Sequence, residues 1–216
     1  MRELSYPSPM EKTNPQLYLA FNSPRRRELL AQLGLRYAVV AAALEETPRP
    51  GEAAEDYVTR VALEKVRAAR ELIASAPPLP LVGADTAVVV DGRILGKPSG
   101  AEEAGDMLRL LSGRTHRVLS AVAVSGGEER TALSMSEVDF RPLGEAEIAA
   151  YWRTGEPADK AGGYAIQGLG AVFVRELRGS YSGVMGLPVF ETAALLAAEG
   201  IPIFVDPGAS QPRGRG

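Results

Sequence analysis

The stretch LVGADTAVVVDGRILGKP, residues 81–98, reads as a buried β-strand interrupted by Asp85 and Thr86, with Lys97 just past the turn that follows. A carboxylate inside an apolar run must be paired, bound to a cation or used chemically. Two readings are open. Asp85 is a structural partner of Lys65, of Lys97 or of backbone N–H groups, or it joins Glu45 and Glu46, just after another apolar run, as a hard oxygen donor for Mg²⁺ or Mn²⁺. Lys65 is itself out of pattern. At about 100° per residue it falls at the centre of a helical stripe of Val58, Val61, Ala62, Ala69 and Leu72, so its ammonium either snorkels to the rim of the core or faces a cleft. Arg25, Arg26 and Arg27 crowd the first turn of a helix behind Ser23, where the macrodipole disfavours each cation by a few tenths to about 1 kcal/mol. Either they point into water, or a phosphate takes the free amides of that turn and the guanidinium bonds together. A metal beside an anion site implies phosphoryl chemistry.

These side chains need elements to hold them. QLYLAF (16–21) reads as a strand, followed by Ser23 as N-cap, Pro24 at the first helical position, a helix over RRRELLAQL and Gly34 as its stop. The next strand, YAVVAAA, makes strand–helix–strand and predicts a parallel pair. A helix is expected over 52–73, ending before Pro77 and Pro78, and then the strand bearing Asp85. SGAEEAGDMLRLLSG predicts a helix with Ala104, Met107, Leu108 and Leu111 on one face. THRVLSAVAV and TALSMSEVDF flank the turn-forming SGGEE and predict a hairpin, so the sheet is mixed. GEAEIAAYWRTG is a short helix. The glycine-rich stretch 156–187 holds one strand, AVFVREL, and suits a loop-built site wall; a last helix, PVFETAALLAAEG, precedes a short strand, IPIFVD.

With 216 residues, 45% of them hydrophobic and 24% charged, the chain has the composition of a globular protein. The organisation expected is a mobile extension over 1–14, one catalytic domain over 15–206 and a flexible tail over 207–216. A net charge of −3 argues against a broad nucleic-acid surface, and the absence of cysteine excludes disulfides, thiolate nucleophiles and thiolate zinc sites while fitting a reducing compartment. No apolar run approaches the roughly 20 residues of a membrane span and the start lacks a signal-peptide core, so a cytoplasmic protein without nucleic-acid or membrane partners is expected. Walker, dinucleotide-binding and serine-elbow motifs are absent. The single histidine, His116, sits in a strand and is assigned a structural or surface role; Tyr151 and Trp152 are assigned helix packing.

The blocks LYLAFNSPRRRELLAQLG, ALEETP, YVTRVALEKVRAA, VGADTAVVVDGRILGKP, MLRLLSGRTHRVLSAVAV and EPADKAGGYAIQGLGAVFVRELRGSYSGVMGLPV together resemble the Maf proteins, nucleoside triphosphate pyrophosphatases related to the inosine triphosphatases. The resemblance implies an α/β fold with a mixed, elongated central sheet flanked by helices and a cleft between two lobes. It implies a divalent metal, hydrolysis between the α- and β-phosphates, and a homodimer, common among family members. Carried onto this chain, it makes Asp85 the catalytic carboxylate, Glu46 with Asp85 the metal acids, and Ser23, Arg25, Arg26, Lys65 and Lys97 the triphosphate contacts. Thr86 after the Asp and Gln167 in the IQG block resemble the branch acting on dTTP and UTP rather than the 7-methyl-GTP branch. Modified pyrimidine nucleotides are a variant of the same reading. One departure stands out: Phe21 replaces a serine of the family's AS-x-SPRR block, removing any contact made by that hydroxyl. A rival role is implied too, a nucleotide-binding regulator with little turnover, because family members have been linked with arrest of septum formation and cell division.

Overall fold

The computed structural model describes residues 14–204; all but Asn14 of the expected extension, and the whole of the expected tail, lie outside them. The elements run β1 (Leu17–Leu19), α1 (Pro24–Ala31), β2 (Tyr37–Val39), α2 (Ala54–Leu72), β3 (Leu81–Val90), β4 (Arg93–Leu95), α3 (Ala101–Leu111), β5 (Thr115–Ser125), β6 (Glu129–Phe140), α4 (Glu145–Arg153), β7 (Val174–Arg178), α5 (Tyr181–Met185) and α6 (Val189–Ala198). They build one seven-stranded sheet of order β2-β1-β3-β5-β6-β7, with β4 also paired to β3. β1 is parallel to β2 and to β3, and the remaining pairs are antiparallel, so the expected mixed α/β sheet is borne out.

The irregularity that matters lies along one edge of β3. β1 pairs with it only at Leu81 and Val82, and β4 only from Val88 to Val90, whereas β5 pairs from Leu81 to Val89 on the other side. Between Val82 and Val88 the sheet is therefore split, and Asp85 and Thr86 lie in the split. Because successive strand residues face opposite ways, the two leave on different faces. Asp85 shares its face with Leu81, Ala87 and Val89, which pack under the Val58–Val61–Ala62–Val66–Ala69 stripe of α2. Gly83 makes that packing close: a Cβ there would collide with the Ala62 carbonyl and stand 2.7 Å from Val66 Cγ2, so only glycine lets α2 bring Lys65 down to Asp85. Thr86 faces the other side, in register with Ser120 on β5 and, beyond it, Ser134 on β6. This row of hydroxyls separates two apolar cores, one under α1 and α6 (Leu29, Leu30, Leu196) and one under α3 and α4 (Leu108, Leu111, Ile148, Tyr151).

Three local expectations are corrected. Leu72 is 62% exposed, because Ile73, about 40° from Ala69 around the helix, packs against the core instead of Leu72 at about 60° on the other side. The strand expected at Ala171 begins at Val174; the residues before it form a 3₁₀ turn over Leu169–Phe173 that buries Phe173 edge-on against Tyr151, 4.9 Å between ring centroids. The strand expected from Ile201 does not form over 201–204, since the Ile201 amide closes α6 by bonding the Leu196 carbonyl at 2.9 Å; residues 205 and 206 lie outside the described residues.

His116 is structural, 2% exposed on β5, with Nε2 2.8 Å from Tyr164 Oη and its ring edge-on to Phe140. Burial pulls its pKa down to about 4, with the Asp139 charge opposing. Between the ordinary value of 6.5 and about 4 the unfolded chain takes a proton that the folded chain refuses. Stability is therefore complete above pH 6.5 and falls on acidification by at most about 3 kcal/mol at pH 4. Urea unfolding at pH 7, 5.5 and 4 should show a steeper acid loss for the wild type than for His116→Gln; parallel curves would contradict this assignment.

Candidate active site

The split in the sheet opens into a cleft of about 650 Å³, lined by every one of Ser23, Arg25, Arg26, Glu46, Lys65, Asp85, Thr86, Lys97 and Gln167. At its centre is Lys65 Nζ, 2.8 Å from Asp85 Oδ1, 3.0 Å from Glu46 Oε1 and 3.5 Å from the Ala84 carbonyl, which the split leaves without a strand partner on that side. Lys65 and Asp85 are buried, 8% and 4% exposed, while Glu46 stands at the rim. Both structural and cleft readings of these residues therefore hold at once: Asp85 is paired with Lys65, and the pair opens on a cavity. Tyr57, from the same helix as Lys65, donates its hydroxyl to the Glu46 carbonyl at 3.1 Å and so ties the Glu46 loop to α2. Its burial, then the charges of Asp85 and Glu46, push its pKa up to about 12, which keeps it a donor.

Arg26 binds the opposite wall. Nε donates to the Gly186 carbonyl at 2.7 Å, Nη1 to the Ala84 carbonyl at 2.9 Å and Nη2 to Thr86 Oγ1 at 3.2 Å. Desolvation lowers its pKa, opposed by the charges of Asp85 and Glu46. Phe21 is buried beside it, the guanidinium 5.8 Å from the ring centroid, so the departure at this position supplies an apolar wall and a cation–π contact in place of a hydroxyl. Thr86 Oγ1 also meets Ser120 Oγ at 2.8 Å, and Ser120 donates to the Gly183 carbonyl at 2.6 Å. The Thr86 hydroxyl thus links Arg26, Ser120 and the Gly186 carbonyl at the end of α5.

The outer cations are less committed. Arg25 meets Asp159 at 3.4 Å across the cleft, from α1 to the 3₁₀ segment Glu156–Asp159. Asp159 also pairs with Lys160, and both line the cleft. The sequence reading passed over Lys160, whose only signal was a lysine beside the glycine pair of DKAGGY. Lys97 is exposed and Gln167 half-buried, and neither side chain forms a hydrogen bond or ion pair with another described residue. Ser23 sits at the N-cap of α1 with its hydroxyl making no capping bond.

The acids suit a hard cation. Asp85 and Glu46 come from different elements yet reach the same point in space, where Lys65 now stands, and they offer carboxylate oxygens with no imidazole or thiolate nearby. No cluster of three or more such ligands exists among the described residues. A cation here must complete its shell with water and substrate oxygens, the habit of Mg²⁺.

Fold and site together define an α/β protein whose split sheet sets a buried acid–lysine pair beside a cation-lined cleft, a site shaped for a polyanion. A family model described as Maf-like protein matches residues 16–199, and the chain belongs to that family, as its sequence blocks led us to expect. Among similar curated proteins, a dTTP/UTP pyrophosphatase of Methylococcus capsulatus is 56% identical over 193 residues, covering 89% of this chain and 95% of its own. One of Alkalilimnicola ehrlichii is 56% identical over 185 residues, covering 84% and 92%. A solved structure described as a nucleoside-triphosphatase / dITP/XTP pyrophosphatase from Mycobacterium abscessus is a looser likeness, 19% identical with a TM-score of 0.42 over 85% of this chain and 93% of that one. Among the described residues no helix is long and apolar enough to cross a membrane.

Proposed function

We propose that this chain hydrolyses dTTP and UTP between the α- and β-phosphates, releasing the nucleoside monophosphate and pyrophosphate, with Asp85 as the acting carboxylate. The observation that carries the reading is the convergence on one cleft of a buried acid and of cations drawn from four separate elements or loops, within a family whose similar members are named for this activity. Water attacks the α-phosphorus in line with the departing pyrophosphate. Lys65 holds Asp85 Oδ1, while Oδ2 takes no hydrogen bond from a described residue and is left to orient the water and receive its proton. Arg25, Lys97 and the first-turn amides of α1 meet the polyphosphate, and Arg26, already bound on three sides, contributes mainly its fixed charge and the shape of the wall. Asp85 and Glu46 would hold the divalent cation, which when bound supplies Lewis acidity toward the phosphate oxygens and the attacking water.

Gln167 is the base-reading group in this proposal, because its uncommitted amide offers a donor and an acceptor to the O4 and N3–H edge of uracil or thymine. Gln167→Glu is expected to lower kcat/KM for dTTP and UTP by about 10²-fold while changing a purine triphosphate far less. Steady-state assays of pyrophosphate release on a panel of triphosphates test both points. Equal losses on every base would remove Gln167 from base reading, and nucleotide binding without pyrophosphate release would favour the regulator instead.

A further inference from the structure

Gln167 sits on a turn with little regular structure, yet the backbone on both sides of it is tied to one pair of side chains, Tyr151 buried and Glu156 half-buried. Tyr151, on α4, accepts a hydrogen bond from the Ala165 amide at 3.1 Å and donates its own hydroxyl to Glu156 Oε1 at 2.6 Å. Glu156 in turn accepts from the Leu169 amide on Oε2 and from the Gly170 amide on Oε1, both at 2.9 Å. Two residues before Gln167 and two and three residues after it, the chain is therefore bound to a single tyrosine–glutamate unit. The carboxylate makes these bonds at the expense of its own burial. Desolvation opposes its charge, but Tyr151 and the two amides outweigh it and hold the carboxyl below its ordinary range. Charge-assisted bonds of this kind are the strong ones.

The glycines beside Gln167 fit the same picture. A Cβ at position 168 would run into the Glu156 carboxylate, and one at 170 would lie 2.7 Å from Tyr151 Oη and 2.9 Å from the Ala165 carbonyl. Both positions are bare because the clamp occupies the space a side chain would need. The Tyr151 ring is itself immobilised, 5% exposed and edge-on to Phe173 at 4.9 Å. Neither clamp side chain is among the residues lining the cleft, so neither touches a nucleotide there.

We propose that Tyr151 and Glu156 are positioning residues for base selection: they fix the 165–170 turn so that the Gln167 amide meets the pyrimidine edge at one distance and angle. The inference rests on the base-reading role given to Gln167 above. A side-chain amide on a loose turn would still find a hydrogen bond, but with any base that presents one. Selectivity requires that the wrong edge be refused, and refusal needs a backbone that does not adjust.

The test uses the full chain with Mg²⁺ or Mn²⁺ supplied, and measures kcat and KM for UTP, dTTP and ATP together with melting temperature. The variants are Tyr151→Phe, Glu156→Gln, Gln167→Ala and the double variant Glu156→Gln/Gln167→Ala. Tyr151→Phe and Glu156→Gln should each raise KM for UTP and dTTP about tenfold relative to that for ATP, with kcat within about threefold of wild type. The double variant should discriminate no worse than Gln167→Ala alone, since the clamp acts only through that side chain. Equal losses on all three nucleotides, or effects of Glu156→Gln and Gln167→Ala that multiply, would overturn the clamp. If Gln167→Ala leaves the UTP to ATP ratio unchanged, the base reading itself fails and the clamp fails with it. If that ratio collapses while the clamp variants keep it, only the clamp is lost. Should Glu156→Gln not fold, Tyr151→Phe, which removes one oxygen from a ring that stays packed, decides by the same criteria.

Discussion

Asp85→Asn is expected to reduce kcat for UTP by about 10³-fold or more while nucleotide binding stays within a few-fold of wild type. The asymmetry follows from where the residue sits. Asp85 lies at the floor of the split, 4% exposed, and its Oδ1 is taken by Lys65, whereas the phosphate contacts proposed above come from α1 and from the β4–α3 loop. An asparagine keeps the size and can still accept from Lys65 through its amide oxygen. It loses the negative charge needed to receive a proton and to share a cation with Glu46. Single-turnover assays with saturating UTP, beside equilibrium binding of a non-hydrolysable analogue, separate the two effects. Wild-type-like turnover with cation supplied would take Asp85 out of the reaction, and an equal collapse of binding would make it a ligand-holding group.

Replacing Lys65 by methionine should be costly in a different way. The stem of the side chain is kept, but Asp85 and Glu46 then face each other without the ammonium between them, and Asp85, only 4% exposed at the floor of the cleft, has little water to take its place. Stranding one member of a buried ion pair costs about 3–5 kcal/mol, so the melting temperature should fall by about 10 °C, and activity should fall by at least about 10²-fold. A second measurement identifies the cause. If the lost ammonium is what destabilises the variant, Mn²⁺ should raise the melting temperature of Lys65→Met more than that of the wild type, since no ammonium then competes with the cation for the same two carboxylates or repels it. A surface pair provides the contrast. Arg109 and Glu145 meet at 2.8 Å but are 47% and 70% exposed, and Arg109→Ala should leave the melting temperature close to that of the wild type. A Lys65→Met protein that melts with the wild type, or that ignores Mn²⁺, would mean that the buried charges are balanced by other groups.

Much of this site was legible because its residues break local rules. Lys65 interrupts an apolar stripe at the helical period, and in the structure it is buried with Val58, Val61, Ala62 and Ala69 of that stripe. Asp85 and Thr86 interrupt a run of strand residues, and both stand at the point where the strand loses a neighbour. The hairpin of β5 and β6 and the α1 start at Pro24 followed from turn and capping chemistry confined to a few adjacent residues. Where the reading failed, a contact from elsewhere in the chain had intervened. Phe173 left its expected strand to fill the space beside Tyr151, and the Ile201 amide was claimed by the end of α6.

The amino-acid sequence by itself determined which side chains were anomalous, which face of each element they occupied, and the family to which they belong. Local periodicity carries that information, because side-chain direction along a strand or helix repeats every two or 3.6 residues whatever the rest of the chain does. Only the tertiary structure decided that β1 departs from β3 after Val82 and β4 arrives at Val88, which opens the cleft at Asp85. It also decided that Arg26 is bound to Thr86 and Gly186, 60 and 160 residues away, and that Tyr151 and Glu156 close around Gln167. These are choices of partner between distant segments, set by how helices and turns pack on the finished sheet, and no short window of sequence contains both sides of such a choice.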